Sequence, residues 1–567
     1  MEYSGRFSYL FRKYSLIRLV CILVGVACIL AVVFLFGFRN KPVPEIESIN
    51  PPVGSPGDVV VIHGKNFGDV RDMSYVEFAG SKLTASSYIL WQDDTIKLVL
   101  PSNIQDGLVV VGVKNQRSKP ALFANEVDIP VPVTETFQTT KPVISSLSSN
   151  KLAVGSLLTI YGNNFGASRG ASRVCFTSDY DKAVSGAEYT TTSLLTNNMV
   201  PASEFDDDYE YWNNNEIRVR VPDGACSGVV FIDTGREKSD AVEFTVPSSA
   251  GTKSYNGKKI YLVQYSADIS DVMTSDVSTI TLRCPVPVVI PSQPLLEITE
   301  IVPTPVLQNY QGCIIHQITK NRNNSPKSVF RQTFAIPIYE INTEVNASGL
   351  TSYKNMNEGL YERYTKPDSI VQSDQEKVKE LSATIVGKET NALKKANLIY
   401  TYMLEHYSVL SKVRKNEADP FDIFKSASGD AYDFAVVYAS LARAAGIPAI
   451  IDTGILIGQD LTTQVHWWNE IYLPGFGWFP VDVALGADLD YKKWTDAIAV
   501  QEYYFGNLDS HHIVFSRGYN EIKPFAQDNK TVKYPKSFAL QSIWEEASSN
   551  TAKYSSYWSV PSIKGVY

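Results

Sequence analysis

Positive charge is in short supply in this chain: 52 Lys and Arg stand against 60 Asp and Glu, a formal net charge of -8 with a pI near 5.5. No broad basic field exists to hold phosphate backbones, so nucleic-acid binding is not expected. Cysteine is scarce too, six in 567 residues, with no CxxC, no Cys/His cluster and none after Cys313. That spacing gives no reason to expect a metal, and no cofactor is expected. Long apolar runs are absent but for one. Disorder is excluded by what is abundant, 44% hydrophobic residues and 32 tyrosines, ample for packed cores and suited to β-sheet surfaces.

The one long run is Leu19 to Phe38, LVCILVGVACILAVVFLFGF, uncharged and of the roughly 20 residues needed to cross a bilayer. Arg6, Arg12, Lys13 and Arg18 precede it and only Arg39 and Lys41 follow closely, so the positive-inside bias puts residues 1–18 in the cytoplasm and the bulk in the periplasm or outside the cell. A cleaved signal peptide is the alternative, but its apolar core would be unusually long and no small-x-small site follows Phe38. A lipoprotein cleaved at Cys28 would keep an exposed apolar tail. Outside the cytoplasm, Cys175 with Cys226 and Cys284 with Cys313 are candidate disulfides, buried free thiols being the alternative.

At 567 residues several domains are expected. An internal repeat marks two of them. Gly57, Ile62, Gly64, Asn66, Phe67 and Gly68 match Gly155, Ile160, Gly162, Asn164, Phe165 and Gly166 at one offset, 144 − 46 = 98. Further on Pro101 answers Pro222 at 222 − 101 = 121, so the second copy carries a 121 − 98 = 23 residue insertion within 177–212. Alternation in VVVIHG and LLTIYG reads as half-buried strand ending in a glycine-dependent bend. The opening P-x-I-x-S-I-x-P run and the G-x-N-F-G turn resemble the IPT/TIG family, which implies immunoglobulin-like sandwiches at 44–125 and 141–247, joined by a Pro- and Thr-rich extended linker. Such sandwiches serve as stalks and binding modules alike. The acidic stretch EFDDDYEYWNNN raises a calcium site as an alternative, but it lacks EF-hand spacing and reads as a solvated face.

Residues 258–346 read as short strands between Pro, Gly and Asn turns, a further β-sandwich-like domain. After Tyr361 apolar residues recur at three- and four-residue intervals, giving amphipathic helices; Ser373 with Glu376 has the spacing of a capping box, and Gly446 with Pro448 closes the last helix. Strands return at IPAIIDTGIL, VHWWNEIYLP and GWFPVDVA, so 360–515 is α+β, followed by an extension over 516–567.

Within that region GDAYDFAVVYASLARAAGIPA and HWWNEIYLPGFGWFPVD resemble the transglutaminase-like (papain-like cysteine protease) superfamily. The resemblance implies a general base at His466, an orienting carboxylate at Asp482, and a nucleophilic cysteine at the helix start, where this chain has Ala431. Thiol chemistry needs all three to converge, and losing one member of such a unit removes nearly all covalent catalysis. Ser426, Ser428, Asp430 and Tyr432 flank Ala431 without occupying its place. Trp467, Trp468 and Trp478, with Tyr432, could line a groove for a peptide or sugar, or could be core. His511 and His512 alternate sides of a strand and read as structural.

Three functions follow as expectations. The first is a membrane-anchored, extracytoplasmic binding or scaffolding protein whose transglutaminase-like domain is inactive, holding a peptide, a glycan or an envelope protein. The second is an active hydrolase or acyltransferase, through another nucleophile or because Ala431 replaces a natural cysteine. The third is a purely structural subunit of a membrane assembly. The oligomeric state is open.

Overall fold

The computed structural model describes residues 13–15, 24 and 43–567, apart from 102–103, 115, 126–139, 171, 182–197, 236, 311, 321–326, 356, 416, 492–498, 520–521, 523, 527, 535 and 541–543. The apolar run 19–38, save Val24, therefore lies outside the described residues, as does the linker 126–139. Among the described residues no helix is long and apolar enough to cross a membrane. The chain divides into two compact units, Met1–Ala124 and Asn125–Tyr567.

The first unit is a β-sandwich. One sheet orders Glu45–Asn50, Val59–Lys65, Thr95–Val99 and Tyr88–Trp91; the other is centred on Gly107–Val113, paired with Ala121–Asn125 and Tyr75–Phe78. Alternation along Val59–Lys65 sends Val60 and Ile62 into the core with Phe67 and Phe123.

The second unit opens with a sandwich that repeats this geometry. Its first sheet orders Val143–Leu147, Leu157–Asn163, Glu216–Arg220 and Tyr209–Trp212. A register shift falls between Ile46 and Ser48 in one copy and Ile144 and Ser146 in the other. Asn66 and Asn164 both sit at φ 63°, a left-handed bend asparagine tolerates, and each side-chain amide donates at 3.1 Å to a carbonyl 23 residues earlier. Trp91 and Trp212 donate their indole N–H to the Phe67 and Phe165 carbonyls at 3.0 and 3.1 Å. Glycine is required at Gly64 and Gly162, where a Cβ would stand 2.0 and 1.9 Å from the carbonyl oxygens of Glu45 and Val143.

The third β region is larger than its sequence suggested. Gly251–Thr274 pairs with Ser328–Val345 on one side and with Thr551–Trp558 and Ser562–Val566 on the other. The facing sheet runs Leu307–Tyr310, Cys313–Lys320, Ser278–Pro285, Trp544–Ala547 and Lys530–Lys533. The stretch expected as a C-terminal extension thus completes this sandwich, and the helical region is inserted between its two halves.

That inserted region carries helices Glu358–Thr365, Glu376–Val386, Ala392–His406 and Ala431–Ala444 against an antiparallel sheet ordered Gly477–Val481, Thr463–Leu473, Ala449–Ile457 and His512–Arg517. Helix Ala431–Ala444 is buried along almost its whole length, its small residues Ala435, Ala439 and Ala442 letting neighbours approach. Gly446, at φ 77°, follows its end as expected. Ser373 does not cap: the helix starts at Glu376 behind Gln375, which makes no side-chain cap bond.

The acidic insertion loop is a solvated face only in part: Glu204, Asp207 and Glu210 reach solvent, whereas Asp206 and Asp208 are buried. Asp206 is buried, accepts the Trp478 indole N–H at 2.8 Å, and lies 3.6 Å from Arg517, while Asn357 donates to the carbonyls of Asp206 and Asp207. Arg517 in turn pairs with Glu470 at 2.6 Å and lies between the rings of Phe205 and Trp478. The loop therefore docks the second sandwich onto the inserted domain through a buried charge cluster.

The two candidate disulfides are corrected, since all four described cysteines are thiols and none is bridged to another. Cys175 lies opposite Phe231, 231 − 226 = 5 positions from Cys226 along that strand, or roughly 17 Å, beyond any disulfide span. Cys284 pairs with Ile314 and Cys313 with Pro285, so in register the two thiols alternate to opposite faces of the sheet.

Candidate functional site

Ala431 is the first residue of helix Ala431–Ala444. Asp430 caps that helix by accepting from the Asp433 amide at 3.0 Å, and Asp433 reciprocates with the Asp430 amide at 2.8 Å, a capping box that complements the exposed N–H groups of the first turn. Two cations neutralise the pair. Arg414 donates to Asp433 at 2.6 Å, and the Lys536 ammonium lies 2.9 Å from Asp430 and 3.5 Å from Asp433. Burial raises the Asp433 carboxyl, a rise that the Arg414 hydrogen bond opposes.

His466 and Asp482 meet as the resemblance implies. His466 Nε2 lies 2.6 Å from Asp482 Oδ2, both side chains are 0% exposed, and Asp482 Oδ1 accepts the Leu485 amide at 2.9 Å at the start of a short helix. The acceptor-only carboxylate fixes the His466 N–H at Nε2. His466 Nδ1 is then left buried without a hydrogen-bond partner.

Sequence reasoning missed the second histidine on this carboxylate. His512 Nε2 lies 3.2 Å from the same Asp482 oxygen, and its Nδ1 lies 2.8 Å from Asp509, which also accepts the Tyr504 hydroxyl at 2.8 Å. Burial alone would raise the Asp482 carboxyl, but the charges and hydrogen bonds of His466 and His512 outweigh it and hold it at about 2. Burial likewise opposes the His512 cation, yet Asp509 and Asp482 lift it to about 9. His511, its neighbour, shares Asp509 with it, its Nδ1 lying 3.3 Å from Oδ1, while its Nε2 lies 2.6 Å from the Lys259 ammonium. Strand His512–Arg517 lies beside Ala449–Ile457, a pairing that adjacency in the chain does not reveal, so the sequence carried no signal that His512 meets Asp482.

His466, Asp482 and His512 bring ligand atoms within 4.8 Å of one another. Two ligands on a tetrahedral zinc stand roughly 3.4 Å apart at ~2.1 Å bonds, whereas His466 and Asp482 meet at 2.6 Å, a hydrogen-bond separation.

The tryptophans lie in the core: Trp467 and Trp468 are 1% exposed and Trp478 0%. Tyr432 is buried as well and packs edge-on against Trp467 at 5.5 Å, which brings the start of the Ala431 helix beside the strand carrying His466. Trp468 stacks on His466 at 5.9 Å. Of the neighbouring hydroxyls, Ser426 Oγ is engaged with the Asp422 and Ser428 carbonyls.

Comparison with known proteins agrees with two parts of this layout. Residues 379–483 match the transglutaminase-like superfamily and residues 44–124 match the IPT/TIG domain, so the chain contains one domain of each kind. An uncharacterised protein of Haemophilus influenzae is 34% identical over 182 residues, which are 26% of this chain and 47% of that protein. A cyclomaltodextrin glucanotransferase of Paenibacillus macerans is 35% identical over 71 residues, 12% of this chain and 10% of the enzyme. The chain thus spans under half the length of the first relative and a tenth of the second. Among solved structures, a candidate cysteine protease of Cytophaga hutchinsonii is similar at 14% identity and TM-score 0.34, over 56% of this chain and 91% of that one. The periplasmic domain of TgpA from Pseudomonas aeruginosa is similar at 14% identity and TM-score 0.26, over 55% and 87%.

Proposed function

We propose that this chain is a membrane-anchored, extracytoplasmic binding or scaffolding protein in which the transglutaminase-like domain has lost covalent catalysis. Ala431 is the observation that carries the reading. A methyl group stands where the superfamily resemblance places the nucleophile, while the His466–Asp482 pair that the same resemblance implies is present. No cysteine follows Cys313, so no shift of alignment restores a thiol. The hydroxyl of Ser426, which flanks Ala431 in the chain, already donates to backbone carbonyls.

In this reading residues 19–38 anchor the chain, the bulk lies in the periplasm or outside the cell, and the module at 141–247 is a second IPT/TIG domain. Support for the last point is the shared register shift, asparagine bend and tryptophan bond of the two modules. The ligand is a peptide, a glycan or an envelope protein. The test is to incubate the detergent-solubilised full chain with peptide and glycan arrays and follow both retention and products by mass spectrometry. Retention without product is expected; product formation that disappears in His466→Ala would contradict the reading.

A further inference from the structure

The start of the Ala431 helix is covered by a stretch of the same chain more than a hundred residues further on. Lys536 is 1% exposed along its side chain, its ammonium held by Asp430 and Asp433 on either side of Ala431 and 5.0 Å from the Tyr432 ring centre. Phe538, Ala539 and Leu540 follow, all buried. Phe538 is seated in the third sandwich, 5.0 Å from both Tyr265 and Phe515. Leu540 joins the apolar cluster of the inserted domain that also contains Ala431, Tyr432 and Trp467. The segment thus runs from the charged helix end into two separate cores.

We propose that Lys536–Leu540 is a self-inhibitory strap that covers the start of the Ala431 helix, with the Lys536 ammonium as its releasable ionic plug. The apolar residues bind without regard to charge, so they hold the strap in place, whereas the ammonium alone matches the paired carboxylates of the cap. Removing it leaves Asp430 and Asp433 with Arg414 as their remaining cation, which favours water entering at the helix end. This proposal rests on the reading of the domain as a binding module: a partner reaches the helix start at Ala431 only after the plug is withdrawn. The acidic pair makes a cationic group on the partner the natural replacement for Lys536.

The experiment reads closure directly, whether or not any ligand binds. A thiol is introduced by Ala431→Cys in the full chain and labelled with a bulky maleimide, with site-specific rates from peptide mass spectrometry. Half-exposed Cys226 serves as reference within the same molecule, and Ala439→Cys, buried in the same helix, reports loosening of the fold. Labelling at position 431 is expected to be at least tenfold slower than at Cys226. Lys536→Ala should speed it at least tenfold with no change at position 439, and Lys536→Arg should label like the parent. Labelling at 431 as fast as at Cys226, acceleration by Lys536→Ala at both helix positions, or acceleration at neither, overturns the strap.

Discussion

His512 and His466 donate to one oxygen of Asp482, at 3.2 and 2.6 Å, and no part of the three side chains reaches solvent. A carboxylate shared this way stays charged in the folded protein, and its two partners are tied to one geometry.

The pH dependence of stability follows from these shifts. His512, raised to about 9 from 6.5, contributes stability that is full below pH 6.5 and is lost as pH rises through 9. Asp482, lowered to about 2 from 3.8, contributes stability present above pH 3.8 and lost as pH falls through 2. Urea unfolding of the full chain should show a decline between pH 6.5 and 9, worth roughly 3 kcal/mol at most, and His512→Gln should flatten it. An unchanged slope in the variant would show that His512 is not a cation in the folded state.

Arg517 is the hinge of the buried charge cluster. Its replacement by Ala leaves Glu470 and Asp206 without their cation, and breaking a buried pair in this manner costs about 3–5 kcal/mol. Chemical denaturation should show a loss of that size, with the second sandwich becoming protease-sensitive at the 204–208 loop. A loss under about 1 kcal/mol would mean the cluster is solvated.

The cysteine geometry is checked by alkylation. Without reductant, in denaturant, Cys175, Cys226, Cys284 and Cys313 should all take up iodoacetamide, and reductant should leave the melting temperature unchanged. Recovery of a 175–226 or 284–313 crosslinked peptide would contradict the strand registers.

Local periodicity and turn chemistry carried much of the fold into the sequence. Gly64, Asn66 and Phe67 are legible because a left-handed bend beside a close backbone approach admits few residues, and the same set recurs at Gly162, Asn164 and Phe165. The pairing of Thr551–Trp558 with Gly251–Thr274 was not legible, because strand partnership across nearly three hundred residues leaves no local mark. Asp206 misled for a related reason: a run of acidic residues reads as solvated until the cation that buries it, Arg517, is located elsewhere in the chain. The meeting of His466 with Asp482 was legible from motif spacing, whereas His512 on Asp482 and Lys536 on Asp430 follow only from tertiary packing.

The loss of covalent catalysis is tested most directly at Ala431. The full chain and its Ala431→Cys variant, each with and without Lys536→Ala, are treated with a cysteine-directed acylating probe and a mixed peptide library. No labelling at position 431 and no turnover are expected of the unsubstituted chain, and labelling at that position that depends on His466 once the thiol is supplied and the strap released. Turnover by the unsubstituted chain that is abolished by His466→Ala would contradict the loss of covalent catalysis.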